Sequence, residues 1–232
     1  MKKLSLILPT YNERENIIDV LNQLQRVLKQ HPHEIIVVDD NSPDGTAALV
    51  KEYAQKHTRV KIVMRKNAKG LSSAVVFGFQ HATGDILGVM DADGQHDAGK
   101  IPAMLKAAEE YEMVIGSRWV EGGKVEGWPL HRKLKSRVAA LLAKCILGVS
   151  IRDPLSGFFL IQRKPYEQVK EELNPRGYKI MLELYARAKP KSVKEIGYTF
   201  RERKKGKSKV ATMPMAIEYL KALLELRRQV GR

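Results

Sequence analysis

Two aspartates follow directly on an apolar stretch near the middle of the chain. Residues 86–90, Ile-Leu-Gly-Val-Met, predict a strand buried in a parallel sheet, and Asp91 and Asp93 come immediately after it. In open α/β sheets ligands bind beyond the carboxyl ends of the strands, so both carboxylates are expected at a substrate site. With Gln95 and His96 close by, they suit Mg²⁺ or Mn²⁺ that also holds phosphate oxygens. The alternative is a solvated turn in which an aspartate caps the next helix.

Alternating strands and helices lead up to this pair. The pattern predicts strands at 4–8, 34–38, 60–64 and 86–90, separated by helices at 17–28, 46–56 and 69–82. This order favours an α/β fold with a mostly parallel central sheet and helices on both faces. Neither a G-x-G-x-x-G after the first strand nor a G-x-x-x-x-G-K-[ST] occurs, so a metal on the aspartates and basic side chains must hold any phosphate.

The second half of the chain carries most of the clustered basic residues. A strand at 113–115 ends close to Arg118, which is therefore expected on the same sheet edge as the aspartates. A predicted helix at 131–147 has a basic start and an apolar remainder, which suits a helix on a membrane surface or an ordinary core or dimer-interface helix. A late strand at 193–200 runs into the basic segment 201–209, by default a solvated loop, and a helix at 213–230 ends in arginines.

Composition limits the class of protein. With 232 residues and 44% hydrophobic residues, the chain is expected to form one domain. The net charge of +15 indicates a polyanionic partner, which could be nucleic acid, an anionic membrane or a phosphorylated substrate. No window has the roughly 18 apolar residues that span a bilayer, and no signal peptide is visible, so a cytoplasmic location is expected. Cys145 lies in an apolar helical run and is expected to be a buried structural thiol.

Several motifs in matching order carry a resemblance to a known family. They are LSLILPTYNERENI, IIVVDDNSPDGT, KGLSSAVVFGF, GDILGVMDADGQH, VIGSRWVEGG, DPLSGFFLI and the late basic loop. Together they resemble the family-2 glycosyltransferases, in the branch of the dolichol-phosphate mannosyltransferases and polyprenyl-phosphate glycosyltransferases. The resemblance implies a GT-A fold over residues 1–232, with a nucleotide-binding half at about 1–118 and an acceptor half with the basic loop at about 119–232. It also implies a nucleotide-sugar donor, a divalent metal (Mg²⁺ or Mn²⁺) and an isoprenoid-phosphate acceptor.

The resemblance further implies roles for individual residues. The nucleotide pocket would be lined by Pro9, Tyr11, Glu13, Val38 and Asp40. Donor contacts would come from Asp91, Ala92 and Asp93, and the metal ligands would be Asp91, Asp93 and Gln95. Arg118 would contact phosphate, and Arg203 and Lys209 would contact the donor or the lipid phosphate, which makes Asp93, Arg118 and Arg203 the expected catalytic residues. Asp153, Ser156 and Lys179 match the acceptor side.

The chain departs from the family pattern in two places. Where the family usually has a bulky residue and then prolines, as in D-A-D-L-Q-H-P-P, this chain has Gly94, Asp97 and Ala98, so the loop is expected to be less rigid. The hydrophobic C-terminal spans of some relatives are missing. The resemblance therefore implies a free-standing enzyme at the cytoplasmic face of an anionic membrane, which a separate small membrane protein could recruit.

The implied reaction is transfer of mannose from GDP-mannose to dolichyl or polyprenyl phosphate with inversion at the anomeric carbon. A lipid phosphate is already an anion, so attack needs little general-base help and positioning supplies much of the rate. Among the six histidines, only His96 is expected to touch the donor or a metal-bound water. Two alternatives stay open: another donor (UDP-glucose or UDP-N-acetylglucosamine) or a soluble sugar acceptor, and a basic nucleic-acid-binding module, for which no recognition motif is present.

Overall fold

A seven-stranded sheet forms the centre of the protein. The computed structural model describes residues 1–66, 69–175, 179–203 and 214–231, with the side chains of the last helix from Tyr219 onward. The sheet contains β1 (Leu4–Thr10), β2 (His33–Asp39), β3 (Val60–Met64), β4 (Ile86–Val89), β5 (Met113–Ser117), β7 (Phe159–Gln162) and β8 (Val193–Gly197), and a separate ribbon contains β6 (Lys124–Val125) and β9 (Thr199–Phe200). The strand order is β3-β2-β1-β4-β7-β5-β8. Because only β7 runs antiparallel to its neighbours, the carboxyl ends of the other strands meet at one edge.

Helices cover both faces of this sheet. They are α1 (Ile17–Val27), α2 (Thr46–Lys56), α3 (Leu71–Gln80), α4 (Ile101–Ala107), α5 (Leu130–Leu147), α6 (Arg163–Glu167), α7 (Ile180–Ala188) and α8 (Pro214–Val230). Alternate residues of one strand face opposite sides, so Leu6 and Leu8 pack with α1, α2 and α4 while Ile7 packs with α3, α5, α7 and α8. Both faces are buried, which explains why the strands are apolar throughout rather than alternating. The predicted α/β fold is confirmed.

Most boundaries lie within a few residues of those predicted, but the late strand differs. Residues 193–200 form two strands, β8 and β9, because the chain changes partner at Tyr198. The Tyr198 N–H still donates to the Ser117 carbonyl of β5 at 3.1 Å, whereas the Tyr198 carbonyl accepts from Lys124 N of β6 at 3.1 Å. A Cβ on Gly197 would lie 2.1 Å from the Glu121 carbonyl oxygen, so only glycine lets the chain pass this close. The turn carries β9 away to pair with β6, a strand too short for the sequence pattern to indicate.

Helix α5 is far less buried than a core helix. Only Ala140 and Ala143 are buried along its 18 residues. Leu134 and Leu141 expose 61% and 59% of their surface. Cys145 is also exposed, so the expectation of a buried thiol is wrong, because Cys145 lies on the side of α5 that faces outward rather than into the core. Among the residues that the structure describes, no helix is long and apolar enough to cross a membrane.

Glu34 is a buried carboxylate at the start of β2, on the edge opposite the strand ends discussed above. Its Oε1 accepts hydrogen bonds from Ser5 Oγ and from Thr83 N and Oγ1, each at 2.7 Å, and its Oε2 accepts one from Lys61 Nζ at 2.8 Å. Burial opposes ionisation, but these donors outweigh it and lower the pKa of Glu34 from 4.5 to about 2. Its ionised form therefore stabilises the folded state.

Replacing Glu34 with Gln should reduce stability in a pH-dependent way. The lowered pKa contributes up to about 3 kcal/mol above the unfolded pKa, so the melting temperature at pH 7 should fall by about 5–10 °C. This contribution is lost as pH falls from about 4.5 towards 2, so the stabilities of the variant and the native protein should approach each other between pH 5 and pH 2. Thermal melts across this range test it, with the exposed Glu167→Gln as control. A difference that stays constant with pH would contradict the assignment.

Candidate active site

The loops after β1 and β2 are joined by side-chain to backbone hydrogen bonds. Asn12 N donates to Ser42 Oγ at 2.9 Å, and Glu13 N donates to Thr46 Oγ1 at 3.0 Å. Asn12 and Asn41 have φ angles of 54° and 57°, in the left-handed region. Asparagine tolerates this region better than most residues, and its use at two neighbouring strand ends is typical of loops shaped for a ligand.

The five residues predicted for the nucleotide pocket come together at this edge. Pro9 and Val38 are register partners at the ends of β1 and β2. Tyr11 is half-buried, and Lys69 Nζ lies 5.4 Å from its ring centroid. Asp40 follows β2, and its N–H donates to the Thr10 carbonyl at 3.0 Å. Nucleotide binding by this group stays a prediction.

Arg65 is a member of this site that the sequence analysis missed. Its Nε donates to Asp40 Oδ1 and its Nη2 to Asp40 Oδ2, both at 2.7 Å, and the Asp40 carboxylate also accepts Gly70 N at 2.9 Å. Arg65 is buried and further bonded to Ser73 Oγ at 2.9 Å. Arg65 and Gly70 N therefore hold the Asp40 carboxylate in a fixed orientation. The signal was available, because Arg65 directly follows β3 at the same sheet edge as the other tips.

Asp91 lies just beyond β4 and is held by a buried histidine. His96 Nε2 lies 3.1 Å from Asp91 Oδ2, and the imidazole packs among the rings of Phe158, Tyr198 and Phe200 at centroid distances of 5.3–5.5 Å. The other oxygen, Asp91 Oδ1, is buried and has no hydrogen-bond partner among the described residues. His96 thus orients the carboxylate, and Oδ1 is left as a hard acceptor.

Asp93 is shared by the backbone of its own loop and by an arginine far along the chain. Gln95 N donates to Asp93 Oδ1 at 3.0 Å, and Arg203 Nη2 donates to Asp93 Oδ2 at 2.7 Å. Arg203 Nη1 also donates to Glu13 Oε1 at 3.1 Å. The Gln95 side chain is bonded through Nε2 to the Arg201 carbonyl at 2.9 Å, which leaves its Oε1 outside these bonds.

Burial and the neighbouring charge of Asp91 raise the pKa of Asp93, although His96, Gln95 N and Arg203 oppose the shift. Two carboxylates this close repel each other, so the pair favours a cation between or beside them. Among the described residues, no three His, Cys, Asp or Glu side chains converge on one point. The described part of the chain therefore offers two carboxylates rather than a complete metal cage.

Arg118 is placed at the end of β5, as predicted, but most of its guanidinium is committed elsewhere. Its Nε and Nη2 donate to Asp153 Oδ2 and Oδ1 at 2.8 and 2.7 Å, and its backbone N donates to Oδ2 at 2.9 Å. Burial disfavours the charge, but Asp153 outweighs burial and raises the pKa of Arg118. A contact with phosphate stays a prediction, and it is confined to Nη1, the nitrogen without a bond to Asp153.

Aromatic rings surround this arginine. The guanidinium carbon lies 5.5–5.6 Å from the ring centroids of Trp119, Trp128 and Phe200. A second guanidinium, that of Arg132, stacks 4.1 Å over Trp128. The indole N–H groups of Trp119 and Trp128 are both buried and have no acceptor among the described residues. Two cations and two orphan donors in one place suit an anion.

The remaining predicted residues are less directly placed. Ala92 is buried between the two aspartates. Ser156 Oγ donates to the Gly116 carbonyl at 2.6 Å, so this side chain stabilises the backbone near the end of β5. Lys179 Nζ lies 4.7 Å from the ring centroid of Tyr219 on α8, and its role on the acceptor side stays a prediction. Lys209 lies outside the described residues.

The loop after Asp93 ends in a short turn that a side chain caps. Gly94 adopts φ 74° with open space around it. Asp97, at the position where the family pattern given above has a proline, accepts a hydrogen bond from Gly99 N at 3.2 Å and caps a 3₁₀ turn at residues 98–100. A side-chain cap thus replaces the expected proline constraint.

Comparisons with known proteins place this geometry in context. Residues 5–170 match the family described as Glycosyl transferase family 2. The chain is 42% identical to the dolichol-phosphate mannosyltransferase of Pyrococcus furiosus, a match that covers 99% of this chain and 65% of that protein. It is 36% identical to the protein of the same name from Saccharomyces cerevisiae, covering 96% of this chain and 86% of that protein.

Solved structures agree on the fold. The glucosyl-3-phosphoglycerate synthase from Mycobacterium tuberculosis, solved with Mn²⁺, UDP and glucosyl-3-phosphoglycerate, superposes with a TM-score of 0.69 at 18% identity. The match covers 99% of this chain and 80% of that one. At this level of identity, the likeness shows a shared architecture.

Proposed function

The chain belongs to the family 2 glycosyltransferases, and from this premise we propose that it transfers mannose from GDP-mannose to dolichyl or polyprenyl phosphate with inversion at the anomeric carbon. Family membership confirms the resemblance and the expectation of a glycosyltransferase. The observation that carries the proposal is the Asp91–Asp93 pair beyond β4 in a chain 42% identical to a dolichol-phosphate mannosyltransferase. Residues 1–118 would bind the donor and residues 119–232 the acceptor.

The residues present fit a divalent cation. Asp91 Oδ1 is a buried carboxylate oxygen without a partner among the described residues, and Asp93 lies two residues away at the same strand end. Mg²⁺ is usually held by one or two carboxylates plus substrate phosphates, so a pair is sufficient. Asp91, Asp93 and Gln95 Oε1 would hold Mg²⁺ or Mn²⁺. When bound, the metal would neutralise the charge that develops on the departing diphosphate.

The chain's own cations would place the second substrate. Partial burial and the nearby positive charge of Arg118 lower the pKa of Arg132, as expected for two guanidiniums that repel each other. A phosphate between the two guanidiniums would relieve this repulsion. Its oxygens would also accept hydrogen bonds from the indole N–H groups of Trp119 and Trp128, which have no acceptor among the described residues. Together with Arg203 and Lys209, this subsite would align the lipid phosphate with the donor. Because the phosphate is already charged, no proton need be removed for it to attack.

An apolar face on two helices would bring the enzyme to its lipid substrate. We define the apolar face as the exposed side chains Leu130, Leu134, Val138 and Leu141 of α5 together with Leu220 and Leu224 of α8. Basic residues flank it on α5, at 132, 133, 135 and 137. A helix of a peripheral membrane protein buries its apolar side chains at the boundary between headgroups and acyl chains and places its cations beside the anionic lipid headgroups. We propose attachment to the cytoplasmic face of an anionic membrane, with a small anchor protein as a further partner.

Charging the apolar face should release the protein from membranes. The double variant Leu134→Glu/Leu141→Glu should bind vesicles containing phosphatidylglycerol at least about tenfold more weakly, since burying one leucine is worth about 1.5–3 kcal/mol. Vesicle flotation measures this binding. The matched control is Gln23→Glu/Gln55→Glu, which makes the same charge change on α1 and α2, across the sheet. If the native protein is instead a dimer that the variant dissociates, with vesicle binding unchanged, the face is a dimer interface.

The assay that tests the function uses radiolabelled GDP-mannose, polyprenyl phosphate in detergent, and Mn²⁺ or EDTA. We expect a lipid-linked, β-configured mannosyl phosphate that forms only with the metal present. Transfer from UDP-glucose or UDP-N-acetylglucosamine with none from GDP-mannose would reassign the donor. Retention at the anomeric carbon would contradict single displacement. Salt-sensitive binding to nucleic acid, with no response to any nucleotide sugar, would favour the alternative class.

A further inference from the structure

Arg203 is bonded to Asp93, one of the carboxylates that would hold the metal. Its guanidinium bridges Glu13 Oε1 at 3.1 Å and Asp93 Oδ2 at 2.7 Å. All three side chains are largely buried, with 17% of Arg203, 7% of Glu13 and 10% of Asp93 exposed. Charge-assisted hydrogen bonds in such a setting are strong. The single positive charge of Arg203 thus offsets part of the negative charge of Glu13 and Asp93 from within the chain.

We infer that Arg203 competes with the divalent cation for Asp93 and thereby sets the metal affinity of the nucleotide-free protein. Asp93 Oδ1 is already used by Gln95 N, so Oδ2 is the oxygen that a cation would take. That oxygen is the one bonded to Arg203 Nη2. A divalent cation at this oxygen would lie within a few ångströms of the positive guanidinium, so the two repel each other and each weakens the binding of the other. This inference rests on the proposed function, because it concerns the same metal site.

The displaced side chain has a second partner once the donor is bound. The backbone before Arg203 is anchored, since Arg201 N donates to the Gln95 carbonyl at 2.9 Å and Gln95 Nε2 donates to the Arg201 carbonyl at 2.9 Å. Arg203 therefore stays beside the aspartates even when it leaves Asp93. A diphosphate is a better acceptor for a guanidinium than a carboxylate already shared with a metal. Arg203 then changes from a competitor of the metal into a ligand of the donor.

This dual role predicts effects of opposite sign in one variant. Arg203→Gln removes the competing charge, so Mn²⁺ alone should bind about tenfold more tightly, the effect of losing about 1.4 kcal/mol of competition. The same variant should bind GDP about tenfold more weakly in saturating Mn²⁺, because it has lost a phosphate contact. Arg203→Lys keeps the charge and should lie between the variant and the native protein in both measurements. Calorimetry, or the electron paramagnetic resonance signal of free Mn²⁺, gives both affinities.

Arg201→Gln is the matched control. Arg201 has its guanidinium 3.7 Å from Asp97 rather than at Asp93, so its loss should leave the affinity for Mn²⁺ alone within about twofold, as expected for an exposed ion pair. Unchanged or weaker binding of Mn²⁺ alone by Arg203→Gln would overturn the inference while leaving the proposed function in place. If native protein binds Mn²⁺ neither alone nor with GDP, the metal site of the proposed function fails instead.

Discussion

Asp93→Asn should lower the rate of mannosyl transfer by about 10²–10³-fold, the range measured when one preorganised electrostatic group is removed from a transition-state site. The neutral amide can still accept the hydrogen bond from Gln95 N, so the loop should keep its shape. What is lost is a negative oxygen for the cation that would neutralise the departing diphosphate. The measurement is kcat/KM for GDP-mannose at saturating lipid phosphate and Mn²⁺.

The same variant should fold normally, which separates chemistry from stability. Burial raises the pKa of Asp93, so its ionised form costs folding free energy and a neutral side chain removes that cost. Loss of the bond to Arg203 acts in the other direction. Asp97→Asn is the matched control, because Asn also caps a helical turn and Asp97 lies in the same loop. Native activity in Asp93→Asn would remove Asp93 from the catalytic residues.

Asp153→Asn should reduce the free energy of unfolding by about 3–5 kcal/mol, since it leaves the buried charge of Arg118 without its counter-ion. Asp153 is fully buried, and both of its oxygens accept from Arg118. Asparagine can replace one of these acceptors but not the charge. For a chain of this size the melting temperature should fall by roughly 6–20 °C.

A double replacement tells whether the cost comes from the unpaired charge. Arg118→Met together with Asp153→Leu removes both charges, and the pair should be markedly more stable than Asp153→Asn alone. Glu167→Gln, which breaks an exposed pair with Lys170, should change stability by less than about 1 kcal/mol. If Asp153→Asn melts within a degree or two of the native protein, the ion pair does not support this end of the sheet. Activity of the double variant would also show how far transfer depends on Arg118.

The order of the main strands and helices was predictable because each of them has a local pattern of apolar residues in the sequence. Apolar runs of four to seven residues gave the strands, and spaced apolar residues such as Ile17, Leu21 and Leu24 gave the helices. The aspartates at 91 and 93 were assigned to a strand end for the same reason, since they directly follow such a run. Motif order was sufficient to indicate the family. Roles of single residues, including the metal ligands, stay predictions.

The exposure of α5 was one of two alternatives that the sequence left open, and Cys145 shows why the sequence alone did not choose between them. The run at 138–147 is apolar, and an apolar run is usually buried, yet Leu141 and Cys145 face outward. A hydrophobic pattern says that a face avoids water, but it does not say whether protein or lipid covers that face. The packing of α5 on the sheet decides which side is left open.

By itself, then, the sequence determined the order of the main strands and helices apart from the short β6 and β9, the edge at which the acidic pair would lie, and the family. Only the tertiary structure decided the partners of the charged groups: Arg65 with Asp40, Arg118 with Asp153, and Arg203 with Glu13, which are 25, 35 and 190 residues apart. It also decided that β7 enters the sheet antiparallel between β4 and β5. Local periodicity reports the conformation of neighbouring residues, whereas ion pairs and strand pairing depend on which distant segments the folded core brings together.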